Sequence, residues 1–145
     1  MIAGMFIVGG LDALQHPDTK TAKAEKVAPP VARTLGLPED TTTLVRANGA
    51  VQVGAAALLA VGRFPRLASL ILAGSLVPTT LAGHRFWEET DKQARTMQRT
   101  HFLKNVAMLG GLLLAAVDTE GRPSLGWRAH RAAERAASML PIGSD

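Results

Sequence analysis

The stretch that decides the fold is LVRANGAVQVGAAALLAV, residues 44–61. A helix of about 20 residues, rising about 1.5 Å per residue, crosses the roughly 30 Å hydrocarbon core of a bilayer. The stretch nevertheless carries Asn48 and Gln52, whose spacing of four residues puts both amides on one face of a helix. Small residues fill much of the remainder. Together these features predict a helix inside a membrane bundle, where small residues allow close approach and amides form interhelical hydrogen bonds.

The other apolar residues are gathered into three further blocks that charged stretches separate, although the mean hydropathy of the chain is only +0.13. The pattern predicts one domain of the all-α class, a four-helix transmembrane bundle within residues 1–118. Its helices are expected at about 1–15, 41–62, 67–83 and 101–118. Aromatic residues make up 4% of the chain and tyrosine is absent, which argues against a β-barrel. Without cysteine, the chain itself offers no thiol for disulfide or redox chemistry.

The connections between the blocks carry their own signals. The polar stretch before residue 41 predicts two short helices, at 22–27 and 31–37, the first stopped by Pro29 and Pro30. Asp40 ahead of Thr41 predicts a capped helix start. The short link at residues 62–66 predicts that the second and third long helices are antiparallel neighbours. Pro78 is expected to kink the third helix or to end its regular part.

Residues 119–145 form a basic tail, in which residues 125–140 predict an amphipathic helix on the membrane surface; a disordered tail remains the alternative. The net charge is +4 and the pI is about 10.1. Because the basic residues lie between and after apolar blocks, they fit an anionic membrane surface and not a nucleic acid. The arginines of the link at 62–66 and of the tail lie on one side of a four-helix topology. The positive-inside rule then places both termini in the cytoplasm.

Polar residues near one end of the predicted bundle are the candidate functional residues. We hypothesise a pocket opening away from the cytoplasm that holds a quinone head or a small anion, with Arg46 and Lys104 as charge donors. Ionisable groups within a membrane are functional candidates because burying their charge is costly. The whole candidate set is Arg46, Asn48, Gln52, His84, Glu88, His101, Lys104 and Asn105.

The alternative is purely structural. Arg46 and Lys104 lie near helix ends, from which long side chains reach water, and the amides can tie helices together at about 0.6 kcal/mol per contact. A metal site at His84, Glu88 and His101 has little support, because the paired histidines of zinc enzymes are missing. The glycine pairs at 9–10 and 110–111 predict close helix contacts.

The order and spacing of several short motifs resemble those of the DoxX family, from Phe6 to about Val117. The second helix carries Arg46-x-Asn48-Gly49-x-Val51-Gln52, and the motifs around it are Phe6-x-x-Gly9-Gly10, Gly62-Arg63, His84-x-Phe86-Trp87, Phe102-x-Lys104-Asn105 and Gly110-Gly111-Leu112-Leu113. The first helix is shorter than is usual in the family. The resemblance implies a four-helix bacterial inner-membrane protein.

The family is related to a subunit of archaeal thiosulfate:quinone oxidoreductase, and some members are thought to partner soluble enzymes of oxidative stress or sulfur handling. The resemblance therefore implies an accessory or anchoring subunit of an oxidoreductase assembly, more a non-catalytic partner than an enzyme. Two alternatives stay open: a subunit that interacts with quinone directly, and a carrier of lipid or small amphiphiles. The expected partners are the lipid bilayer and an oxidoreductase or membrane complex, with a homo-oligomer also open.

Overall fold

The structure, a computed structural model, describes residues 1–34, 36, 38–118, 130–131 and 134–135. Through Val117 the described chain forms six α-helices and no strand, which confirms the all-α prediction. Three helices have the length and apolar composition to cross a membrane, and α1 is a shorter apolar helix of 14 residues. The six helices are α1 (Ile2–Gln15), α2 (Asp18–Ala24), α3 (Ala28–Thr34), α4 (Thr41–Ala60), α5 (Pro65–Gly83) and α6 (Lys92–Val117).

The long helices pack in series: α1 against α4, α4 against α5, and α5 against α6. Their shared core takes side chains from all four helices and is centred on the fully buried Leu72 and Leu112. Phe6 adds an aromatic side chain from α1, and small residues of α4 complete the core. The two short helices α2 and α3 lie across α4 and α5 at one end, called here the α2–α3 end. The opposite end, which carries residues 61–64, is called the loop end.

Local signals place the start of α4 where the sequence predicted it. The Asp40 carboxylate accepts a hydrogen bond from the Thr43 backbone N–H at 2.8 Å, so one orphan donor of the first turn is satisfied. Helix α4 ends at Ala60, and the next helix begins at Pro65, whose missing N–H costs nothing in the first turn. The tight link between them makes α4 and α5 neighbours, as predicted.

The predicted start of the last long helix is wrong, because α6 begins at Lys92 and not near residue 101. The Asp91 carboxylate accepts from the Ala94 N–H at 2.7 Å and caps the helix there. Residues 92–99 are mostly good helix formers such as Lys, Gln, Arg and Met. Hydropathy marks where the chain enters the membrane, whereas capping and propensity decide where the helix begins.

Two of the prolines act differently from the prediction. Pro29 and Pro30 do not stop a helix; they lie in the first turn of α3, where an absent N–H leaves no hydrogen bond unmade. Both short helices lie a few residues earlier than predicted. Pro78 does not end α5, which continues to Gly83. Nearby, the Thr79 and Thr80 hydroxyls donate to the backbone carbonyls of Ser75 and Leu76, at 2.8 and 2.7 Å.

Only residues 130, 131, 134 and 135 of the predicted surface helix are described, and these four are helical. The rest of the segment at 125–140 lies outside the described residues. Its contact with lipid and the division of the chain at residue 118 therefore stay predictions.

Candidate functional site

Asn48 and Gln52 join α4 to α5 through a hydrogen-bonded cluster of side chains, called here the amide seam (Asn48, Gln52, Ser75 and Thr79). The Gln52 amide donates to the Ser75 hydroxyl at 2.8 Å and to the Thr79 hydroxyl at 3.3 Å. The Ser75 hydroxyl donates in turn to the side-chain oxygen Oδ1 of Asn48 at 2.8 Å, and the side-chain amide nitrogen of Asn48 donates to the Thr79 hydroxyl at 3.2 Å. Gln52 and Ser75 are buried. The amides of α4 therefore satisfy hydroxyl groups on a neighbouring helix.

Asn105 makes a second polar connection, between α6 and α5. Its amide donates to the Thr80 hydroxyl at 3.0 Å, and that hydroxyl donates to the Leu76 carbonyl. Both Asn105 and Thr80 are buried. Because Thr79 and Thr80 are adjacent on α5, the two connections lie at the same height along that helix. The two connections use different hydroxyl groups of α5, so in the described structure the amides of α4 and the amide of α6 each bond to α5 and not to each other.

The two predicted charge donors are exposed. In the part of the chain that the structure describes, neither Arg46 nor Lys104 forms a side-chain hydrogen bond or an ion pair. Long cationic side chains in such positions can reach the polar headgroup region with their apolar stems against the helix. Their role as charge donors to a ligand stays a prediction.

His84 and His101 come together at the α2–α3 end, where their rings stack with centroids 5.2 Å apart and planes 24° apart. The Nδ1 atom of His84 lies 2.8 Å from the side-chain amide oxygen, Oε1, of Gln98. An amide oxygen can only accept, so Nδ1 carries the proton and the lone pair of the neutral ring is on Nε2. Gln98 thereby fixes the tautomer and orientation of His84.

Burial lowers the pKa of His84, and electrostatic repulsion from His101, Lys104 and Lys23 lowers it further. The hydrogen bond to Gln98 acts in the opposite direction but does not prevail. His84 is therefore held as a neutral base just beyond the end of α5, among cationic neighbours from α2 and α6.

Glu88 is engaged elsewhere. Its carboxylate accepts from Lys26 at 3.0 Å and from Arg85 at 2.9 Å, which links the turn between α2 and α3 to the segment between α5 and α6. These two cations lower the pKa of Glu88. Within the described residues, no group of three or more His, Asp or Glu side chains could hold a metal ion. The residues just before Glu88 belong to an aromatic cluster. In it the rings of Phe86, Trp87 and Phe102 meet edge to face, with centroids 5.2–5.9 Å apart.

The partners that complete these contacts were not predicted from the sequence. The predicted set has the amides but lacks the Ser75 and Thr79 hydroxyls that bond them, and it lacks Gln98 beside His84. A signal was present for the first pair, because Ser75 and Thr79 are four residues apart in an otherwise apolar helix and so share a face. Gln98 gave no such signal, because it lies in a stretch expected to be a loop.

The state of His84 predicts a dependence of stability on pH. Because its pKa is lowered on folding from about 6.5, the unfolded chain binds more protons than the folded one between the two values. The stabilisation is complete above about pH 6.5 and is lost as the pH falls through the folded pKa. We expect the melting temperature in detergent to fall less between pH 7.5 and 5.0 in His84→Gln than in the wild type. His130→Gln, at an exposed histidine, should keep the full pH dependence; an unchanged dependence in His84→Gln would contradict the assignment.

Comparison with known proteins identifies the family. The DoxX family model matches residues 1–85, which is more than half of the 145-residue chain. No curated protein and no solved structure matches. The matched region includes α1, α4 and α5, and hence the amide seam and the first histidine of the stacked pair. With its apolar spans and this match, the chain is a membrane protein that belongs to the DoxX family.

Proposed function

We propose that this protein is an integral membrane accessory subunit that anchors an oxidoreductase assembly of oxidative-stress or sulfur-handling type. The observation that carries the proposal is the amide seam. Its amides, which could have lined a ligand pocket, bond Ser75 and Thr79 on the neighbouring helix. A buried side chain bonded in this way holds helices in a defined arrangement, and it must break those bonds to serve a ligand. This supports a scaffolding role.

The proposed location is the bacterial inner membrane, with both termini in the cytoplasm. The basic loop end, with Arg63 and Arg66, would then face the cytoplasm, as the positive-inside rule favours. Residues 1–118 would form the membrane bundle and residues 119–145 a cytoplasmic tail. Helix α6 has 26 residues and is about 39 Å long, so roughly two turns extend beyond the hydrocarbon core. Its polar beginning, with Arg95 and Arg99, gives a partner a water-exposed surface.

The second candidate is a subunit that interacts with quinone directly, and the stacked histidines favour it. His84 presents an Nε2 lone pair near the membrane surface, and the aromatic cluster supplies apolar rings alongside. A neutral imidazole can accept a proton from a quinol hydroxyl in that position. The other candidate residues, Arg46 and Lys104, would contribute positive charge at the same end.

The test is affinity purification of the tagged full chain from native membranes in mild detergent, with mass spectrometry of co-purified proteins and extraction of bound quinone. We expect a stoichiometric oxidoreductase with little quinone. An unrelated tagged multi-pass protein from the same membranes serves as the control for non-specific recovery. Near-stoichiometric quinone without a protein partner would refute anchoring and favour the second candidate. Bound lipid without partner or quinone would favour a carrier.

A variant separates the two roles further. Gln52→Leu removes one amide of the seam and leaves the surface unchanged. If the protein is an anchor, the amount of co-purified enzyme per folded subunit should stay within about twofold of the wild type. If the amides bind a quinone, bound quinone should fall with this variant while the partner is retained.

A further inference from the structure

The loop end carries two neighbouring arginines, Arg63 and Arg66. In the described part of the chain, neither Arg63 nor Arg66 forms an ion pair. Cations at the α2–α3 end behave differently, because several of them pair with carboxylates: Lys20 with Asp12, Arg33 with Glu39, and both Lys26 and Arg85 with Glu88. Among the described residues, unpaired cations such as Arg95 and Arg99 also occur at the α2–α3 end, so the loop end is distinguished by the fixed position of Arg66 and by the exposed Phe64 beside it.

Arg66 is held in place although it is unpaired. Its Nε donates to the Ala116 carbonyl at 2.9 Å, in the last turn of α6. The terminal guanidinium nitrogens make no hydrogen bond within the described residues. The side chain is thus fixed at one atom and keeps N–H donors for an acceptor. Guanidinium groups match the oxygens of phosphates and carboxylates in charge and geometry, and phosphate is the anionic group that phospholipid headgroups share.

Phe64 adds an apolar anchor between the two arginines. Its φ of 52° lies in the left-handed region, which a residue with a bulky side chain rarely adopts, and 63% of its surface is exposed. The neighbouring Val61 and Leu67 are also exposed. Because four residues join two helices of membrane-spanning length, this loop lies at the membrane surface. Exposed apolar side chains there meet the upper acyl chains, and the arginines meet the headgroups.

We propose that the loop end, through Arg63 of the loop and Arg66 in the first turn of α5, binds the headgroup of an anionic phospholipid. The guanidinium groups of Arg63 and Arg66 contact its phosphate, and the Phe64 ring lies among the upper acyl chain carbons. General attraction to an anionic bilayer needs only positive charge near the surface. The anchored Arg66 beside the exposed Phe64 ring is a local arrangement, and it is this arrangement that binds one lipid. The prediction is selectivity for anionic over zwitterionic lipid at this one loop, independent of what the protein does with its partner.

The experiment is native mass spectrometry of the full chain in mild detergent, titrated with phosphatidylglycerol or with phosphatidylcholine of identical acyl chains. The wild type should bind phosphatidylglycerol more tightly. A cation near an anionic surface contributes enough that each arginine should account for about a fivefold change in affinity. We therefore expect about a fivefold loss for Arg63→Gln and about 25-fold for Arg63→Gln with Arg66→Gln. Phe64→Ala should weaken both lipids alike.

The matched control is the double variant Arg95→Gln with Arg99→Gln, which removes two exposed cations from the far end of α6. It has the same net charge as the double variant of Arg63 and Arg66. It should keep the preference for phosphatidylglycerol. An equal loss in this control would show bulk electrostatics and overturn the proposal, as would equal binding of both lipids by the wild type. Displacement of the lipid by soluble glycerol 3-phosphate would show a free-phosphate site instead. Arg63→Gln keeps the Arg66 bond to α6, so its result does not depend on that contact.

Discussion

Gly10→Ala is expected to separate α1 from α4 and to lower the stability of the bundle by about 1–3 kcal/mol. A Cβ atom at Gly10 would lie 2.7 Å from the Gly49 carbonyl oxygen and 2.8 Å from a methyl group of Val53. The contact is reciprocal, since a Cβ at Gly49 would lie 2.8 Å from the Gly10 carbonyl. Backbone atoms cannot rotate away as the end of a side chain can, so one helix must move.

The neighbouring Gly9 provides the matched control. A Cβ there meets nothing within 4 Å. Gly9→Ala should leave stability unchanged or raise it by up to about 1 kcal/mol, because alanine is the better helix former. Thermal unfolding in detergent, followed by the fluorescence of the two tryptophans, compares the variants directly. Equal melting temperatures for Gly10→Ala and Gly9→Ala would mean that α1 and α4 are not in close contact at this point.

This pair also shows what the sequence could and could not predict. The glycine pairs indicated close helix contacts, and the structure confirms this for Gly10 and for Gly111, where a Cβ would lie 3.0 Å from Ile2. It does not hold for Gly9 or Gly110, which face open space in the described structure. Composition marks a helix that can pack closely, but the rotation of the helix about its axis decides which glycine is used. That rotation depends on the partner helix, which lies far away in the sequence.

The candidate site divides in the same way. Asn48 and Gln52 could be placed on one face of α4 because helical periodicity is a local property. Their hydrogen bonds to Ser75 and Thr79 could not be predicted, because these bonds depend on how α4 and α5 are rotated towards each other. The early start of α6 was missed because a hydropathy pattern does not register a polar helical turn outside the membrane. Gln98, which orients His84, lies in this polar first part of α6 and was not predicted for the same reason.

A comparison of two serines tests the amide seam. Ser75 is buried and makes two hydrogen bonds to side chains of α4, accepting from Gln52 and donating to Asn48. Ser75→Ala should lower stability by about 1–3 kcal/mol, because it leaves the Asn48 carbonyl without its donor and weakens the hold on Gln52. Membrane hydrogen bonds average about 0.6 kcal/mol and reach about 1.7, so two lost bonds give the same range.

Ser69→Ala is the same substitution on the same helix with the opposite expectation. The Ser69 hydroxyl is fully buried and is without a hydrogen-bond partner in the described structure. Removing it should leave stability unchanged or raise it by up to about 1 kcal/mol, because an unsatisfied polar atom in an apolar interior is costly. Unfolding of both variants in one detergent gives the difference. If Ser75→Ala were as mild as Ser69→Ala, the seam would add little to the joining of α4 and α5. The amides of α4 would then be free to exchange their protein bonds for a ligand, and the case for an anchor over a quinone-binding subunit would be lost.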